Sequence, residues 1–375
     1  MFFREIIGQS EAKQRLLQTV SGNRISHAQL FFGREGTGAL ALALAYAQYI
    51  HCTKRSETDS CGECPSCQKY AKLVHPDLHF VFPVALSKDV RVSTHLIAEW
   101  REALLENSYL TLDEWFEKIE AENKQPVIGT EESGEILRKL SLTTFEGEYK
   151  IMIIWLAEKM NQPAANKLLK ILEEPPDKTL FMLITENEDQ LLRTIVSRTQ
   201  LVKIRAIADA DLRAALMERH SLSQADAEKI AYQADGSYAA ARQIMNRNEQ
   251  AAFNLSAFQK WMRASLKFDG AKVISVIDEL AAVGRERQKN FLLYSLTLVR
   301  ESLLLNYADQ SLVRMSGEEL AFLGKFAPFI HAANGEKFIE ELDKALYHIE
   351  RNGSAKMVFL DLSFKANELL NIPKP

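Results

Sequence analysis

The chain has 375 residues, of which 47% are hydrophobic and 26% are charged, and this length allows two or three domains with a sizeable core. The formal net charge of −4 and the pI near 6.1 argue against a tight, autonomous nucleic-acid binder. No apolar run approaches the ~20 residues that span a bilayer, and the first residues lack the layout of a signal peptide. We therefore expect a cytoplasmic protein that does not contact membranes.

Strand and helix patterns alternate through the first 205 residues. Buried strands are predicted at residues 28–33, 75–83, 149–157, 179–185 and 200–204. Helices are predicted between them, among others at residues 12–20, 39–50, 162–174 and 188–198. Ser10 is a candidate N-cap of the first helix. Strands that alternate with helices form a parallel sheet covered on both faces, so we predict an α/β domain over residues 1–205.

Two further regions are distinguished by their helix patterns. Residues 87–135 are charged and of mixed period, and we interpret them as a largely helical insertion into the α/β domain. After about residue 205 the strand signals cease. Three short helical patterns occupy residues 206–248, which we interpret as a small helical lid, and longer amphipathic helices fill residues 249–375. Residues 249–375 are predicted to form an all-α domain.

The four cysteines of the chain all fall within one short segment. Cys52, Cys61, Cys64 and Cys67 have the spacing C-x8-C-x2-C-x2-C, in which tight turns bring four thiolates to one tetrahedral ion. In a reducing compartment such clustering favours a metal over disulfides. Four thiolates complete the coordination of a structural Zn²⁺ and leave no open position for catalysis. We predict structural zinc, with an iron–sulfur cluster or four unliganded thiols as the alternatives.

The turn after the first strand has the glycine spacing of a phosphate-binding loop, with Gly33, Gly36 and Gly38. In such a loop the next residues are Lys, which contacts the phosphates, and Ser or Thr, which binds Mg²⁺. This chain has Ala39 and Leu40 instead. On this segment alone, an ordinary glycine turn between a strand and a helix is an equal alternative.

The strand at 149–157 lacks a second part of the phosphate chemistry. Phosphate-hydrolysing proteins of this fold end that strand with acidic residues for Mg²⁺ and the attacking water. Here the strand runs into Trp155 and Leu156, and the first acid is Glu158. Because both parts are missing, we predict a vestigial loop that does not bind ATP in the usual manner.

Four ordered segments resemble the clamp-loader branch of the AAA+ ATPases, and within it the delta-prime family of bacterial DNA polymerase III. They are the glycine-loop segment at residues 25–38, the cysteines followed by His-Pro-Asp at residues 75–77, NKLLKILEEPP at residues 166–176, and LLRTIVSRT at residues 191–199. The resemblance covers most of residues 1–205 but not the insertion. It implies an AAA+-like fold in which residues 206–248 form the lid and residues 249–375 form a helical collar for oligomerisation.

The resemblance also assigns roles to particular positions. It places the acidic pair of the ATP-hydrolysing motor subunits at Trp155 and Leu156, and a lid arginine of the motors is replaced by Tyr238-Ala239. The family's Ser-Arg-Cys motif appears as Ser197 and Arg198 followed by Thr. It implies that Arg198 is an arginine finger that acts in trans on the ATP of a neighbouring motor subunit. Outside this motif, a surface salt bridge would be the favoured interpretation of Arg198.

The implied function is that of a non-hydrolysing subunit, the stator of the clamp-loader ring in DNA replication. Its implied partners are gamma/tau-type ATPase subunits and the delta subunit, and through the complex the sliding clamp and primer–template DNA. Lys167 and Lys170 are candidates for weak DNA contacts, although they are equally well explained as solvated surface charges. Two alternatives are an active AAA+ ATPase with an atypical P-loop and a zinc-dependent nucleic-acid-binding protein.

Overall fold

The computed structural model describes residues 1–141, 143–308, 317–351 and 353–374, and it divides into two compact units, residues 1–244 and 245–375. The described residues form the strands β1 (Ala28–Phe32), β2 (Leu78–Val81), β3 (Val84–Ala85), β4 (Pro126–Val127), β5 (Lys150–Ile154), β6 (Thr179–Thr185) and β7 (Gln200–Lys203). Five of them make one parallel sheet in the order β2-β5-β6-β1-β7, and β3 pairs with β4 antiparallel. The predicted parallel sheet is confirmed, whereas the small antiparallel pair was not predicted.

Helices surround this sheet in the first unit. They are α1 (Ser10–Ser21), α2 (Ala39–His51), α3 (Pro65–Tyr70), α4 (Ile97–Glu106), α5 (Leu112–Lys118), α6 (Thr130–Ser141), α7 (Gln162–Glu173), α8 (Arg193–Val196), α9 (Asp209–His220) and α10 (Gln224–Ala234). Neighbouring residues of β1 point to opposite faces: Gln29 contacts Tyr46 of α2, and Leu30 packs in one cluster with Leu168 of α7. Both faces of the sheet are therefore covered, as expected for parallel strands.

The second unit is all-helical among its described residues. Its helices are α11 (Tyr238–Leu266), which begins in the first unit, α12 (Gly270–Ala282), α13 (Arg285–Tyr307), α14 (Gly317–Phe326), α15 (Gly335–Glu350) and α16 (Ala355–Leu370). Trp261 and Phe291 lie in its apolar core, where the indole N–H of Trp261 donates to Ser363 at 2.8 Å. The predicted collar also includes residues 309–316, 352 and 375, which lie outside the described residues. No described helix is both long enough and apolar enough to cross a bilayer.

Two local predictions were wrong. Ser10 is the first residue of α1, and the N-cap is Gln9, which adopts the left-handed conformation with φ of 57°. The Gln9 side chain donates to the backbone oxygens of Thr37 and Arg205, so tertiary contacts fix this helix start. The helix predicted at 188–198 is a 3₁₀ turn at Glu188–Gln190 followed by α8. Between these two elements the backbone is extended at Leu191, and the Leu191 side chain packs into the core against the sheet.

The His-Pro-Asp segment fixes the turn that leads into β5. The carboxylate of Asp77 accepts backbone N–H bonds from Phe145 at 2.6 Å, Glu146 at 3.0 Å and Gly147 at 2.7 Å. His75 Nδ1 accepts from the Asp77 N–H at 3.2 Å, and its ring stacks on His51 with centroids 4.5 Å apart. The motif thus connects β2 to the entry of the neighbouring strand β5.

Replacing Asp77 with Asn is expected to lower the free energy of unfolding by about 1–3 kcal/mol at pH 7, because the amide presents N–H groups to backbone donors. Burial by itself raises the pKa of Asp77. The three backbone hydrogen bonds and His75 lower this pKa by a larger amount, so that it lies below its ordinary value. This stabilisation is therefore complete above the unfolded pKa of about 3.9 and is lost as pH falls through the lower folded value. Urea unfolding of Asp77→Asn and wild type should show a nearly constant difference in the free energy of unfolding between pH 7 and pH 4. Glu148→Gln, which removes only an exposed pair with Lys178, is the control and should change stability by less than about 1 kcal/mol.

Candidate functional site

The glycine loop joins β1 to α2 at the carboxyl edge of the sheet. Gly36 and Gly38 adopt φ angles of 74° and 94°, which L side chains rarely adopt. Ala39 and Leu40 form the first turn of α2 and are buried, Leu40 with 5% of its surface exposed. The loop keeps the backbone form of a phosphate cradle, but the two following side chains are packed into the protein and offer neither charge nor oxygen.

Tyr109, from the inserted segment (residues 87–135), lies directly over this loop. A Cβ built on Gly38 would lie 2.9 Å from Cε1 of the Tyr109 ring, so only glycine leaves room for it. The Tyr109 hydroxyl accepts a hydrogen bond from the backbone N–H of Ile7 at 2.8 Å. The remaining space between loop and insertion is a cavity of about 20 Å³. This volume suits a single water molecule, whereas small-molecule pockets have roughly 300 Å³ or more.

Trp155 occupies the end of β5 and is 2% exposed. Its ring lies 5.0 Å from that of Trp100 in α4. Trp100 in turn stacks on Phe82 at 4.1 Å and meets Trp115 of α5 edge-on at 5.1 Å. We call these four residues the aromatic cluster. The position that the resemblance assigns to an acid is therefore an apolar anchor for the inserted segment.

The C-terminal part of the predicted lid, at residues 235–239, also closes on the loop. The backbone N–H of Tyr238 donates to the Gly36 oxygen at 2.9 Å, and a Cβ built on Gly36 would lie 2.7 Å from Cβ of Ala239. Arg34 of the loop donates to the Asp235 carboxylate and to its backbone oxygen, each at 2.9 Å. Backbone contacts and this ion pair thus join the loop directly to residues 235–239.

Several carboxylates crowd the rim of the loop. Burial and the neighbouring carboxylates Glu35 and Glu158 raise the pKa of Glu186, which follows β6, to about 8. Burial, Asp113 and Glu114 likewise raise the pKa of Glu35 within the loop. Negative charge is therefore already disfavoured at this rim, and a polyphosphate would add to it.

Arg198 lies just after α8. None of its hydrogen bonds or ion pairs with described residues involves the glycine loop. Its Nη2 is 2.6 Å from the Glu173 carboxylate at the end of α7, and its Nη1 donates to the Thr194 oxygen at 3.0 Å. The Arg198 side chain is 36% exposed. Ser197 is exposed and donates to the same Thr194 oxygen. In this chain the guanidinium is held at the surface by one carboxylate and one carbonyl.

Glu173 and Glu174 end α7, and Pro175-Pro176 follow them as the sequence predicted. Lys167 and Lys170 lie on the exposed face of the same helix. They form no ion pair among the residues that the structure describes. Both ammonium groups therefore lie on the solvent-exposed surface of α7.

The four cysteine sulfurs lie within 4.8 Å of one another. Sγ of Cys61 is 3.5 Å from that of Cys52 and 4.0 Å from that of Cys67. Zn–S bonds of about 2.3 Å at tetrahedral angles place sulfurs about 3.8 Å apart. The backbone N–H groups of Cys61 and Cys64 point at the sulfurs of Cys52 and Cys61, at 3.2 and 3.3 Å. Such bonds stabilise thiolates, so the predicted ligands fit one closed four-thiolate metal site.

Sequence reasoning missed Tyr109 and the aromatic cluster. Tyr109 lies between two predicted helices in a segment without period, and no local pattern distinguishes it from a surface loop residue. The two tryptophans of the insertion did offer a signal, because two of the four tryptophans of the chain in a supposedly peripheral segment indicate a core of its own. Their contact with Trp155 depends on the fold and cannot be read from spacing.

The fold and this site define a class. A parallel five-stranded sheet, a glycine turn between its strand β1 and the helix α2, and an all-helical second unit are a P-loop fold of the AAA+ type. The sequence profile of the family described as "DNA polymerase III, delta subunit" matches residues 8–208, more than half of the chain. The chain therefore belongs to the delta-prime family of DNA polymerase III clamp-loader subunits, and the predicted family resemblance is confirmed.

Individual relatives agree with this assignment. DNA polymerase III subunit delta′ of Bacillus subtilis (strain 168) is 31% identical over 212 residues, which are 56% of this chain and 52% of that protein. Subunit delta′ of Pseudomonas aeruginosa is 30% identical over 187 residues, 49% of this chain and 45% of that protein. DNA polymerase III subunit gamma of Buchnera aphidicola is 26% identical over 241 residues, which are 63% of this chain and 55% of that protein. The chain spans about half the length of the curated relatives it matches.

Proposed function

We propose that this chain is a non-hydrolysing, delta-prime-type subunit of the DNA polymerase III clamp loader. It serves as stator of the ring and offers Arg198 to the ATP site of a neighbouring gamma/tau-type subunit. The observation that carries the proposal is the filled glycine loop: Tyr109 and Trp155 occupy the space and the position that a nucleotide and its acids need. A cytoplasmic location and the absence of enzymatic activity in the isolated chain are parts of the same proposal.

Three physical arguments support the absence of ATP binding. The cavity over the loop, about 20 Å³, admits a water molecule and no nucleotide. Ala39 and Leu40 supply no group for phosphate or Mg²⁺. The carboxylates of Glu35 and Glu158 add a repulsion that the missing lysine would have offset.

The surroundings of Arg198 support its proposed role in trans. The ion pair with Glu173 is partly exposed on both sides, and exposed pairs contribute only about 0–1 kcal/mol. A γ-phosphate carries more charge than one carboxylate and accepts both arms of the guanidinium fork. Exchanging Glu173 for a neighbour's phosphate therefore costs little, and the Thr194 oxygen keeps the arginine oriented.

The remaining assignments extend this proposal to the assembly. Residues 206–248 would form the lid and residues 249–375 the collar that holds the other subunits, including delta. The sliding clamp and primer–template DNA would be met through the complex, with Lys167 and Lys170 as weak phosphate contacts. The cysteine site would hold one structural Zn²⁺.

Calorimetry and reconstitution test the proposal together. Titration of the isolated chain with magnesium-ATP should give no binding in the micromolar to millimolar range of typical substrates, and the isolated chain should have no ATPase activity. Adding it to gamma-type and delta subunits should create an ATPase that sliding clamp and primed DNA stimulate. Saturable ATP binding by the isolated chain would instead support the atypical ATPase. Tight DNA binding by the isolated chain that a chelator abolishes would support the zinc-dependent nucleic-acid binder.

A further inference from the structure

The inserted segment enters the proposed function only through the space that Tyr109 fills, and the following inference rests on that part of the proposal. Residues 108–110, between α4 and α5, line the small cavity over the glycine loop together with Gly36, Gly38 and Trp155. Tyr109 is 4% exposed. A large side chain from an insertion thus occupies the space between a phosphate-loop backbone and a lid-like segment.

We propose that Tyr109 is a built-in replacement for a nucleotide. It ties together the glycine loop, the N-terminal segment that precedes α1 and the C-terminal part of the lid segment (residues 206–248). The lid segment is consequently held against the loop at all times and does not respond to ATP. This inference concerns the first unit alone and holds whether or not Arg198 acts on a neighbour.

The contact with the N-terminal segment is a directed polar one. Ile7 is buried, and its backbone N–H donates to the Tyr109 hydroxyl at 2.8 Å. A buried backbone N–H without a partner is destabilising, so the hydroxyl is needed in addition to the ring. Burial raises the pKa of Tyr109 to about 12, which keeps the hydroxyl protonated at neutral pH.

The contact with the lid segment has two parts. The ring of Tyr109 meets that of Tyr238 edge-on with centroids 4.9 Å apart. In the first turn of α5, Glu114 forms an ion pair with Arg242 at 3.0 Å. The other oxygen of Glu114 accepts N–H bonds from Thr111 and Asn107, so the capping box of α5 fixes the carboxylate that receives Arg242.

Buried aromatic contacts hold the inserted segment in place over the glycine loop. Trp100 and Trp115 of the aromatic cluster are fully buried, and the indole N–H of Trp115 donates to the Pro83 oxygen at 2.9 Å. Aromatic pairs of this kind stabilise a fold beyond the burial of their surface. Because Trp155 belongs to the same cluster, the inserted segment is attached to the end of strand β5.

A side chain of the same polypeptide differs from a ligand in one respect that matters here. A free ligand stabilises its bound state by an amount that depends on its concentration, whereas a tethered group has a fixed, high effective concentration. Replacement of a nucleotide by Tyr109 therefore converts a concentration-dependent closure into a permanent one. This is the behaviour that a rigid subunit requires.

Hydrogen exchange of the full chain tests the inference. In Tyr109→Ala, backbone amides of residues 238–242 should exchange at least ~10-fold faster, while those of β5 and β6 stay protected. Millimolar p-cresol, the missing side chain as a free molecule, should restore protection. Toluene should restore less, because it cannot accept the Ile7 N–H. Tyr232→Ala is the matched control: this tyrosine is 79% exposed on α10, and its removal should leave residues 238–242 unchanged.

Two further variants keep the test decisive if Tyr109→Ala does not fold. Tyr109→Phe removes only the hydroxyl, and Glu114→Gln removes only the charge opposite Arg242. Each should raise lid exchange severalfold with the sheet unaffected. Unchanged lid exchange in any folded Tyr109 variant overturns the proposal, as does faster exchange spread evenly over the sheet that p-cresol does not reverse. Neither outcome bears on the ATPase of the reconstituted complex, so the two proposals fail separately.

Discussion

Arg198→Ala is expected to lower ATP hydrolysis at the neighbouring motor subunit by ~10³-fold or more, the range that arginine fingers contribute. The physical reason is the loss of a guanidinium that stabilises charge on the transferred phosphoryl group. The measurement is the clamp- and DNA-stimulated ATPase of a reconstituted complex whose motor subunits carry alanine in place of their own fingers. Arg198 then supplies the only finger, and the rate reports on it directly.

Two variants control for charge and geometry. Arg193→Ala removes a positive charge from the exposed side of α8 and should leave the rate within about twofold, because no transition-state contact is lost. Arg198→Lys keeps the charge but loses the two-armed fork, and it should restore only part of the activity. A complex that assembles with Arg198→Ala and hydrolyses ATP at the wild-type rate would contradict the role in trans.

Cys64→Ser is expected to abolish stoichiometric metal binding and to unfold the segment around α3 locally. Structural zinc contributes about 10–16 kcal/mol in isolated zinc peptides, and the sulfurs here cluster with few other apolar contacts. Elemental analysis should find one zinc per wild-type chain and much less in the variant. Hydrogen exchange of residues 52–70 should rise at least ~100-fold, while the sheet retains its protection.

Ser66→Ala is the matched control in the same turn. Ser66 is buried beside Cys67, and its hydroxyl has no hydrogen-bond partner among the described residues, so its removal should leave the metal content unchanged. Iron with visible absorbance in freshly purified protein would favour the iron–sulfur alternative. A freshly purified wild-type chain without any bound metal would contradict the prediction of a metal site.

The elements that sequence reasoning predicted well are those determined by local chemistry. The helix α7 begins after an Asn N-cap with Pro in its first turn and ends at Glu173 before two prolines, and each of these signals acts within a few residues. β5 and β6 are short, continuous apolar runs, as expected for parallel strands buried on both faces. The four cysteines were brought together as predicted because their ligand spacing is itself a local constraint.

The predictions that failed depend on contacts between distant residues. Gln9 replaces Ser10 as N-cap because its side chain bonds to residues 37 and 205. The helix predicted at 188–198 is interrupted because Leu191 is buried in the core below the sheet, and this burial outweighs helix propensity. Tyr109 meets Ile7, Gly38 and Tyr238 across large sequence separations. No period or motif encodes such a meeting.

The aromatic cluster makes the end of β5 intolerant of a charged side chain. Trp155→Asp would bury a carboxylate and leave a cavity beside Trp100, at a cost of about 3–5 kcal/mol or more. Whole domains have only about 5–15 kcal/mol of stability. Because the Trp155 ring also supports the inserted segment through Trp100, an acid at this position would weaken the fold whatever chemistry it supplied.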